Sequence, residues 1–370
     1  VSAGQTLSRA RTVRARDQIA LARFFAELTV KEHIWPTLHV RPLVAELFLT
    51  DNCNLKCVSC ACWRETTTDE LTTSEWKDVL GQLRELGILK LNFTGGEALI
   101  RRDAIGLFDY ASELGFGSLH LNTNGILLSP KRLEPILDAG VRSFNISIDG
   151  PGALHDEIRG RVGAFERTTR HLRHLIGLRD PLGLKVRMNF TVMRTNVHAL
   201  CDVMRLAQEL EVRLYLNLAT DRTFLFRHQE ISELSRVTEE QLQAALAEAE
   251  TLLRADRRWL PRFSDLRYMR GHFSDVIQRD LPCAESQLKL MVHSRGEIGG
   301  CWGHDPLLNV RTTRVREIVD GAEYRDEHAR LFRKDCSGCG SNYSLNLRWR
   351  PSTYVRDALW RAHRLTLGDP

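Results

Sequence analysis

Cysteine is the residue type whose spacing carries most chemistry in this chain. The nine cysteines stand at 53, 57, 60, 62, 201, 283, 301, 336 and 339, so eight fall in two groups. The basic N-terminus, from Val1 through Arg16, has no continuous apolar core of the kind a signal peptide needs. Clustered thiols in a reducing compartment point to metal rather than to disulfides. Cys53, Cys57 and Cys60 form Cys-x3-Cys-x2-Cys directly after a short apolar run. Three thiolates can hold three irons of a four-iron cluster and leave the fourth open, which suits chemistry rather than structure. A zinc site with Cys62 as fourth ligand is the alternative. In the second group Cys283 is followed by Gly296 and Cys301, and then by the pair Cys336-x2-Cys339. Four thiolates would close a cluster and leave it to carry electrons. Structural zinc on the same four residues is the competing reading.

These residues must be positioned by regular elements, and the pattern shows which. Strand-length segments at Leu43–Thr50, Leu89–Gly95, Ser118–Gly125, Ser143–Gly150, Lys185–Met193 and Arg213–Ala219 alternate with helical segments at Ser74–Gly87, Arg102–Gly115, Pro130–Gly140, Ala164–Arg179 and Val197–Glu211. Such alternation predicts right-handed crossovers and a parallel sheet. The units are too few for a closed eight-stranded barrel. The expected fold is therefore α/β, a partial (β/α)6 TIM-like barrel followed by a small C-terminal unit. The predicted boundaries are an N-terminal helical segment 1–42, the barrel 43–220, a helical linker 221–280 with a long polar helix over Ile231–Leu260, the second cysteine unit 281–345, and a C-terminal helix 346–370. The first cysteine group lies in the loop leaving the first strand, where parallel β/α folds place their chemistry.

Hydrophobic residues make up 43% and charged residues 27%, and 52 basic residues are offset by 47 acidic ones for a net charge of +5. No run approaches a membrane span, and no segment joins basic residues with aromatics as a nucleic-acid groove does. The expectation is a cytoplasmic protein with neither a membrane nor a nucleic-acid partner.

Several strand ends carry distinctive fragments in order: Gly95-Gly96-Glu97, Asn122-Thr123-Asn124-Gly125, Ser147-Ile148-Asp149-Gly150, and then His155 through Gly160. Together with the cysteine triad, over Leu43 to about Ala219, they resemble the radical S-adenosylmethionine superfamily. The second group, Cys-x12-Gly-x4-Cys followed by Cys-x2-Cys, resembles the auxiliary-cluster extensions called SPASM and twitch. Nothing cysteine-rich follows Cys339, so the shorter twitch form with one cluster fits better.

The resemblance implies a catalytic [4Fe-4S] cluster on Cys53, Cys57 and Cys60 and an auxiliary [4Fe-4S] cluster on Cys283, Cys301, Cys336 and Cys339. It implies that S-adenosylmethionine is bound by Gly95, Gly96, Glu97, Asn122, Ser147 and Arg159. Glu97 would meet the amino group, Ser147 the ribose and Arg159 the carboxylate. The family usually has an aromatic residue where Ser59 stands; Trp63 is a candidate substitute. The implied reaction is reductive cleavage of S-adenosylmethionine to a 5′-deoxyadenosyl radical, which abstracts hydrogen from a substrate C–H. An auxiliary cluster points on to a two-electron oxidation.

Asp149 is the expected base, and Cys62 the candidate hydrogen donor if the reaction is instead a redox-neutral epimerisation. The expected substrate is a small polar intermediate such as an aminocyclitol or sugar. A ribosomally made peptide is the alternative, although the segment before the first strand is shorter than the leader-recognition domain of many maturases. An electron donor such as flavodoxin or ferredoxin is implied.

Overall fold

The computed structural model describes residues 15–64, 67–219, 233–273, 282–301 and 305–333. Six parallel strands run in order: β1 Val44–Phe48, β2 Lys90–Thr94, β3 Ser118–Thr123, β4 Ser143–Ser147, β5 Lys185–Val192 and β6 Arg213–Leu218. Between them lie α2 Thr73–Leu86, α3 Ala104–Leu114, α4 Pro130–Asp138, α5 Gly152–Arg159, α6 Ala164–Gly177 and α7 Leu200–Glu209. A helix α1, Ala15–His33, precedes the sheet. Helix α2 shows how local sequence sets these bounds. Thr72 and Glu75 close a capping box at its start, and Gly87, at φ 101°, ends it in the left-handed conformation that glycine adopts without strain.

The six predicted strands are present, with their ends trimmed by a few residues. Two segments beyond them behave differently from expectation. The predicted polar helix over 231–260 begins later, at α8 Glu239–Ala255, because Thr238 and Gln241 form the capping box there. It buries Leu242, Ala245, Leu246, Ala249 and Leu253, and together with α9 Phe263–Phe273 it joins the main core. Their spacing of three and four residues makes one apolar stripe, so these helices belong to the barrel's outer layer rather than to a linker. Cys201 of α7 faces α8, its thiol 3.8 Å from the Ala245 carbonyl.

The second cysteine unit also merges with the barrel. Strand β7, Lys289–Val292, pairs in parallel with β1 on the side opposite β2, in register Ala45↔Leu290. It turns back into β8 Glu297–Gly299, which pairs with β9 Leu308–Asn309, giving one sheet in the order β6-β5-β4-β3-β2-β1-β7-β8-β9. All four residues of β7 are buried, which is the burial of an inner strand. Helices α10 Val315–Asp320 and α11 Ala322–Phe332 follow. The expected helix over 346–370 lies outside the described residues.

Because β7 belongs to the barrel sheet, Leu290→Ala should unfold as one transition with the barrel. Leu290 is fully buried, so the loss should be about 2–5 kcal/mol. Urea unfolding followed by far-UV circular dichroism checks it; an independent unit would give a separate, earlier transition.

Candidate active site

The cysteine loop is held by close backbone contacts from three directions. Gly96 N–H donates to the Thr50 carbonyl at 2.7 Å and Glu97 N–H to the Asn52 carbonyl at 2.9 Å. A Cβ at Gly95 would collide with the Thr50 carbonyl oxygen, and one at Gly96 with that of Asn52. The two glycines therefore admit the cysteine loop itself against the end of β2. From the other side Val58 N–H donates to the Ile158 carbonyl at 2.9 Å, and Gly160, at φ 63°, lies against the Lys56 carbonyl. From the third, Glu70 Oε1 accepts from Thr50 Oγ1, Asp51 N–H and Asn52 Nδ2 at 2.7 to 3.2 Å.

Cys57 packs with Leu55, Ile126 and Ala164 in a small apolar cluster against which Cys53 and Cys60 also lie. Burial pushes the Cys53 thiol up to about 12 and raises that of Cys57 as well. Cys60 is drawn down to about 7, chiefly by a hydrogen bond with Cys62, while that bond and burial push Cys62 up. Thiols raised in this way ionise when a metal displaces their protons. Cys62 opens a 3-10 turn, Cys62–Arg64, and is the side-chain partner of Cys60. Among the described residues no three metal-binding side chains close on a single ion, whereas a four-iron cluster takes each thiolate on a different iron. The donor set fits a cluster open at one iron.

The structure redistributes the expected cofactor roles. Glu97 is 1% exposed, and its carboxylate accepts from Thr123 Oγ1 (2.9 Å), Asn124 N–H (2.9 Å) and Leu99 N–H (3.2 Å). It joins the ends of β2 and β3, so its oxygens are already used within the protein. Asn122 sits lower in the strand, where Oδ1 accepts from Asn145 Nδ2 at 3.2 Å. Asn124, two residues on, is the asparagine at the cysteines. Its Nδ2 donates to Asn54 Oδ1 at 2.7 Å and lies 4.0 Å from Cys53 Sγ. Alternation does not separate the two, since positions two apart share a face; they differ in depth, Asn122 lying within β3 and Asn124 past its end. Ser147 ends β4 opposite Asn189, as expected for a strand-end position. The indole of Trp63 donates to the Cys57 carbonyl at 2.9 Å, which anchors the loop.

Arg159 lies between the cysteines and β4. Its Nη2 pairs with Asp149 Oδ2 at 2.7 Å, its Nη1 is 3.8 Å from Cys57 Sγ, and its Nε has no partner among the described residues. A buried guanidinium with an unmet donor beside the cluster thiols suits a carboxylate ligand. Asp149 is 2% exposed and its other oxygen accepts from Thr191 N–H at 3.0 Å. Both its oxygens are engaged, one with Arg159 and one with Thr191 N–H, so in this structure it holds Arg159.

Below this face the barrel interior is polar. In each strand alternate residues, such as Leu91, Phe93, Leu119, Leu121, Phe144, Ile146, Met188 and Phe190, pack into the main core. The intervening residues hydrogen-bond across strands. His120 bonds Ser143 Oγ at 2.8 Å and Asn122 Oδ1 at 3.2 Å, and Arg187 Nη1 donates to Ser143 Oγ at 3.1 Å and lies over the Tyr215 ring. At the floor, burial and the neighbouring Arg187 and Lys289 charges bring Lys90 down to about 8. The continuous polar face follows from the alternation once the strands are known.

The described cysteines of the second group, Cys283 and Cys301, lie at the far end. β7 runs parallel to β1 and β8 returns antiparallel, so Cys283, before β7, and Cys301, after β8, are both brought to the N-terminal end of the strands. Gly296, at φ 92°, makes the turn between β7 and β8. At the near end of the hairpin Ser294 Oγ donates to Asp51 Oδ2 at 2.7 Å, tying it to the catalytic loop. Cys336 and Cys339 lie outside the described residues.

If the glycines serve the loop contact, Gly96→Ala should cost the first cluster rather than the fold. Iron after anaerobic reconstitution should drop by about four per chain, one four-iron cluster, with far-UV circular dichroism unchanged.

Residues 47–230 match the family model described as the Radical SAM superfamily. A PqqA peptide cyclase of Bradyrhizobium diazoefficiens is 32% identical over 46% of this chain and 44% of its own length. An AdoMet-dependent heme synthase of Oleidesulfovibrio alaskensis is 37% identical over 44% of this chain and 41% of its own. The matches thus span less than half the length of either curated relative. The fold is similar to that of Streptococcus suis SuiB bound to precursor peptide SuiA, with TM-score 0.62 and 16% identity over 85% of this chain and 71% of that one. It is similar also to anSMEcpe with bound AdoMet and Cp18Cys peptide, with TM-score 0.60 and 16% identity over 88% and 98%. No helix among the described residues is long and apolar enough to cross a membrane. With this cysteine loop, this partial barrel and this match, the chain belongs to the radical SAM superfamily, whose members use S-adenosylmethionine and a [4Fe-4S] cluster.

Proposed function

We propose that this enzyme carries out a two-electron oxidation of a polar substrate held inside the barrel, with an auxiliary cluster as electron acceptor. The observation that carries the reading is the polar interior lying between two cysteine sites at opposite strand ends. When bound, the catalytic cluster and S-adenosylmethionine supply a 5′-deoxyadenosyl radical that takes a hydrogen atom from substrate, and the auxiliary cluster supplies an acceptor for the second electron. The substrate also releases a proton to solvent, so two protons and two electrons leave in all, and an external carrier of the flavodoxin or ferredoxin class closes the electron balance.

The chain's own residues would position these partners. Cys53, Cys57 and Cys60 hold the catalytic cluster. Arg159, fixed by Asp149, takes the carboxylate of S-adenosylmethionine on its free Nε side, and Ser147 faces the ribose from the end of β4. Glu97 acts through the backbone, by fixing the turn that carries Asn124. His120, Asn122, Asn145 and Arg187 offer donors and acceptors to a polar group, while the apolar faces of the strands keep bulk water away. Cys283 and Cys301, with Cys336 and Cys339, are the proposed ligands at the far end.

A small polar metabolite such as an aminocyclitol or sugar fits an interior lined this way. A peptide side chain entering the barrel is the second reading, and it is favoured by the similarity to a peptide cyclase and to the SuiB fold. Either substrate should leave with two hydrogens fewer. The test is to incubate reconstituted enzyme anaerobically with S-adenosylmethionine, reductant, and either the small-molecule or the peptide fraction of its host. Mass spectrometry should find 5′-deoxyadenosine formed in step with one species lighter by two hydrogens. A product of unchanged mass in H2O that is one deuterium heavier when formed in D2O would overturn oxidation and point to epimerisation, with Cys62 as donor.

Arg159→Lys keeps the charge but loses the planar fork. The Kd for S-adenosylmethionine should rise about tenfold to a hundredfold, the range of one or two lost charge-assisted bonds, with iron content unchanged. Equilibrium dialysis with labelled S-adenosylmethionine measures it.

A further inference from the structure

Helix α11 buries one histidine that the roles assigned so far do not explain. His328 is 1% exposed, and neither ring nitrogen has a hydrogen-bond partner among the described residues. The ring stacks on Tyr324, one turn earlier, with centroids 3.8 Å apart and planes at 28°. Its Nε2 faces Gly300, where a Cβ would collide with it, so the missing side chain lets the imidazole reach the backbone immediately before Cys301.

Cys283 meets the same helix. Its N–H donates to the Phe332 carbonyl at 3.1 Å, four residues on from His328 and therefore on the same face. Gln287 Nε2 donates to the His328 carbonyl at 2.9 Å, and Ser286 Oγ to the Cys283 carbonyl at 2.8 Å, which fixes the turn leaving Cys283 against α11. The imidazole thus lies against the residue before Cys301, and Cys283 meets the same helix one turn further on. A buried donor left unmet costs about 1–3 kcal/mol, so a buried ring with two unmet nitrogens marks a place where something accepts from it or binds it. Cluster sulfur is an acceptor of that kind. Hydrogen bonds to the sulfurs are among the features that set a cluster's reduction potential.

We propose that His328 donates its Nε2–H to a sulfur of the cluster held at Cys283 and Cys301 and so raises that cluster's potential, making it the better electron acceptor. The inference rests on the auxiliary-cluster reading, and His328 acts as a positioning and tuning residue rather than a ligand. Its chemical consequence is specific. A donor to sulfur stabilises the reduced, more negative state of the cluster, which is the state reached when an electron leaves the substrate.

The test uses the full chain with Cys53, Cys57 and Cys60 all changed to alanine, which leaves only the second site to hold iron. About four irons per chain are expected there; finding no iron overturns the auxiliary-cluster reading and this inference with it. In that background His328→Phe, which keeps the stack on Tyr324 but has no donor, should retain the iron and shift the midpoint of an EPR-monitored redox titration to lower potential. His328→Gln, which keeps an N–H, should recover part of the shift. An unchanged midpoint in the Phe variant overturns the donor role, as does loss of iron in both variants. Pulsed EPR of the reduced cluster with 15N-labelled histidine, without any substitution at 328, gives an independent reading. A weak nitrogen coupling is expected; a strong one marks His328 as an iron ligand, and none marks it as packing, and either overturns the proposal.

Discussion

The site depends on backbone meeting backbone around the cysteine loop. A loop between a strand and a helix has few contacts of its own, yet a cluster needs three thiols held at fixed separations. Here the loop is gripped where side chains are missing: at Gly95 and Gly96 against the end of β2, and at Gly160 behind α5. Each contact brings a backbone hydrogen bond, from Gly96, Glu97 and Val58. Glu97 then carries the restraint to β3 through Thr123 and Asn124, and Arg159 carries it to β4 through Asp149. Three strand ends are tied to one loop, and the thiols inherit the rigidity of the sheet. Buried charges are tolerated because each has hydrogen-bonded partners on a neighbouring element.

The interior of the barrel follows a different rule from that of a closed eight-stranded one. Closed barrels fill the centre with branched apolar side chains. These strands place apolar residues only toward the helices and fill the centre with His120, Asn122, Asn145, Arg187 and Tyr215. A polar network of this kind specifies geometry only while it is satisfied. Asn92 Oδ1 and Asn145 Oδ1 have no partner among the described residues, so the interior retains acceptors that a polar guest can use. The fold's stability therefore comes from the helix-facing side of the sheet, which leaves the inner side free to be shaped for binding.

Much of this was legible in the sequence because its signals are local. Strand ends, the capping box at Thr72 and the cysteine spacing are each set by residues within a few positions of one another. What escaped depends on distant partners. Glu97 reads as a group facing a ligand until Thr123, far along the chain, is seen to take both its oxygens. That Asp149 pairs with Arg159 is not visible until α5 folds back onto the end of β4. The run Lys289–Val292 is too short to reveal whether it starts a new unit or adds to an old sheet; only pairing with β1 decides that. His328 carries no motif at all, since its position is defined by Gly300, which lies just past β8 on a different element.

The merging of the second unit with the barrel sheet bears on how the two proposed electron steps stay apart. Strand β1 has five residues and so rises roughly 16 Å. The hairpin of β7 and β8 runs alongside it, touching the catalytic loop through Ser294 at one end and carrying Cys283 and Cys301 at the other. Were the second site on a hinged domain, its distance from the substrate would vary with every domain motion. Built on a strand paired with β1, it keeps a separation set by strand length. On the proposed reading the injecting site sits above the polar interior and the accepting site below it, both in the same rigid sheet. An electron that enters at the cysteine loop and one that leaves the substrate then pass through opposite ends of the sheet. The geometry that holds the sites apart also hinders a short circuit between them.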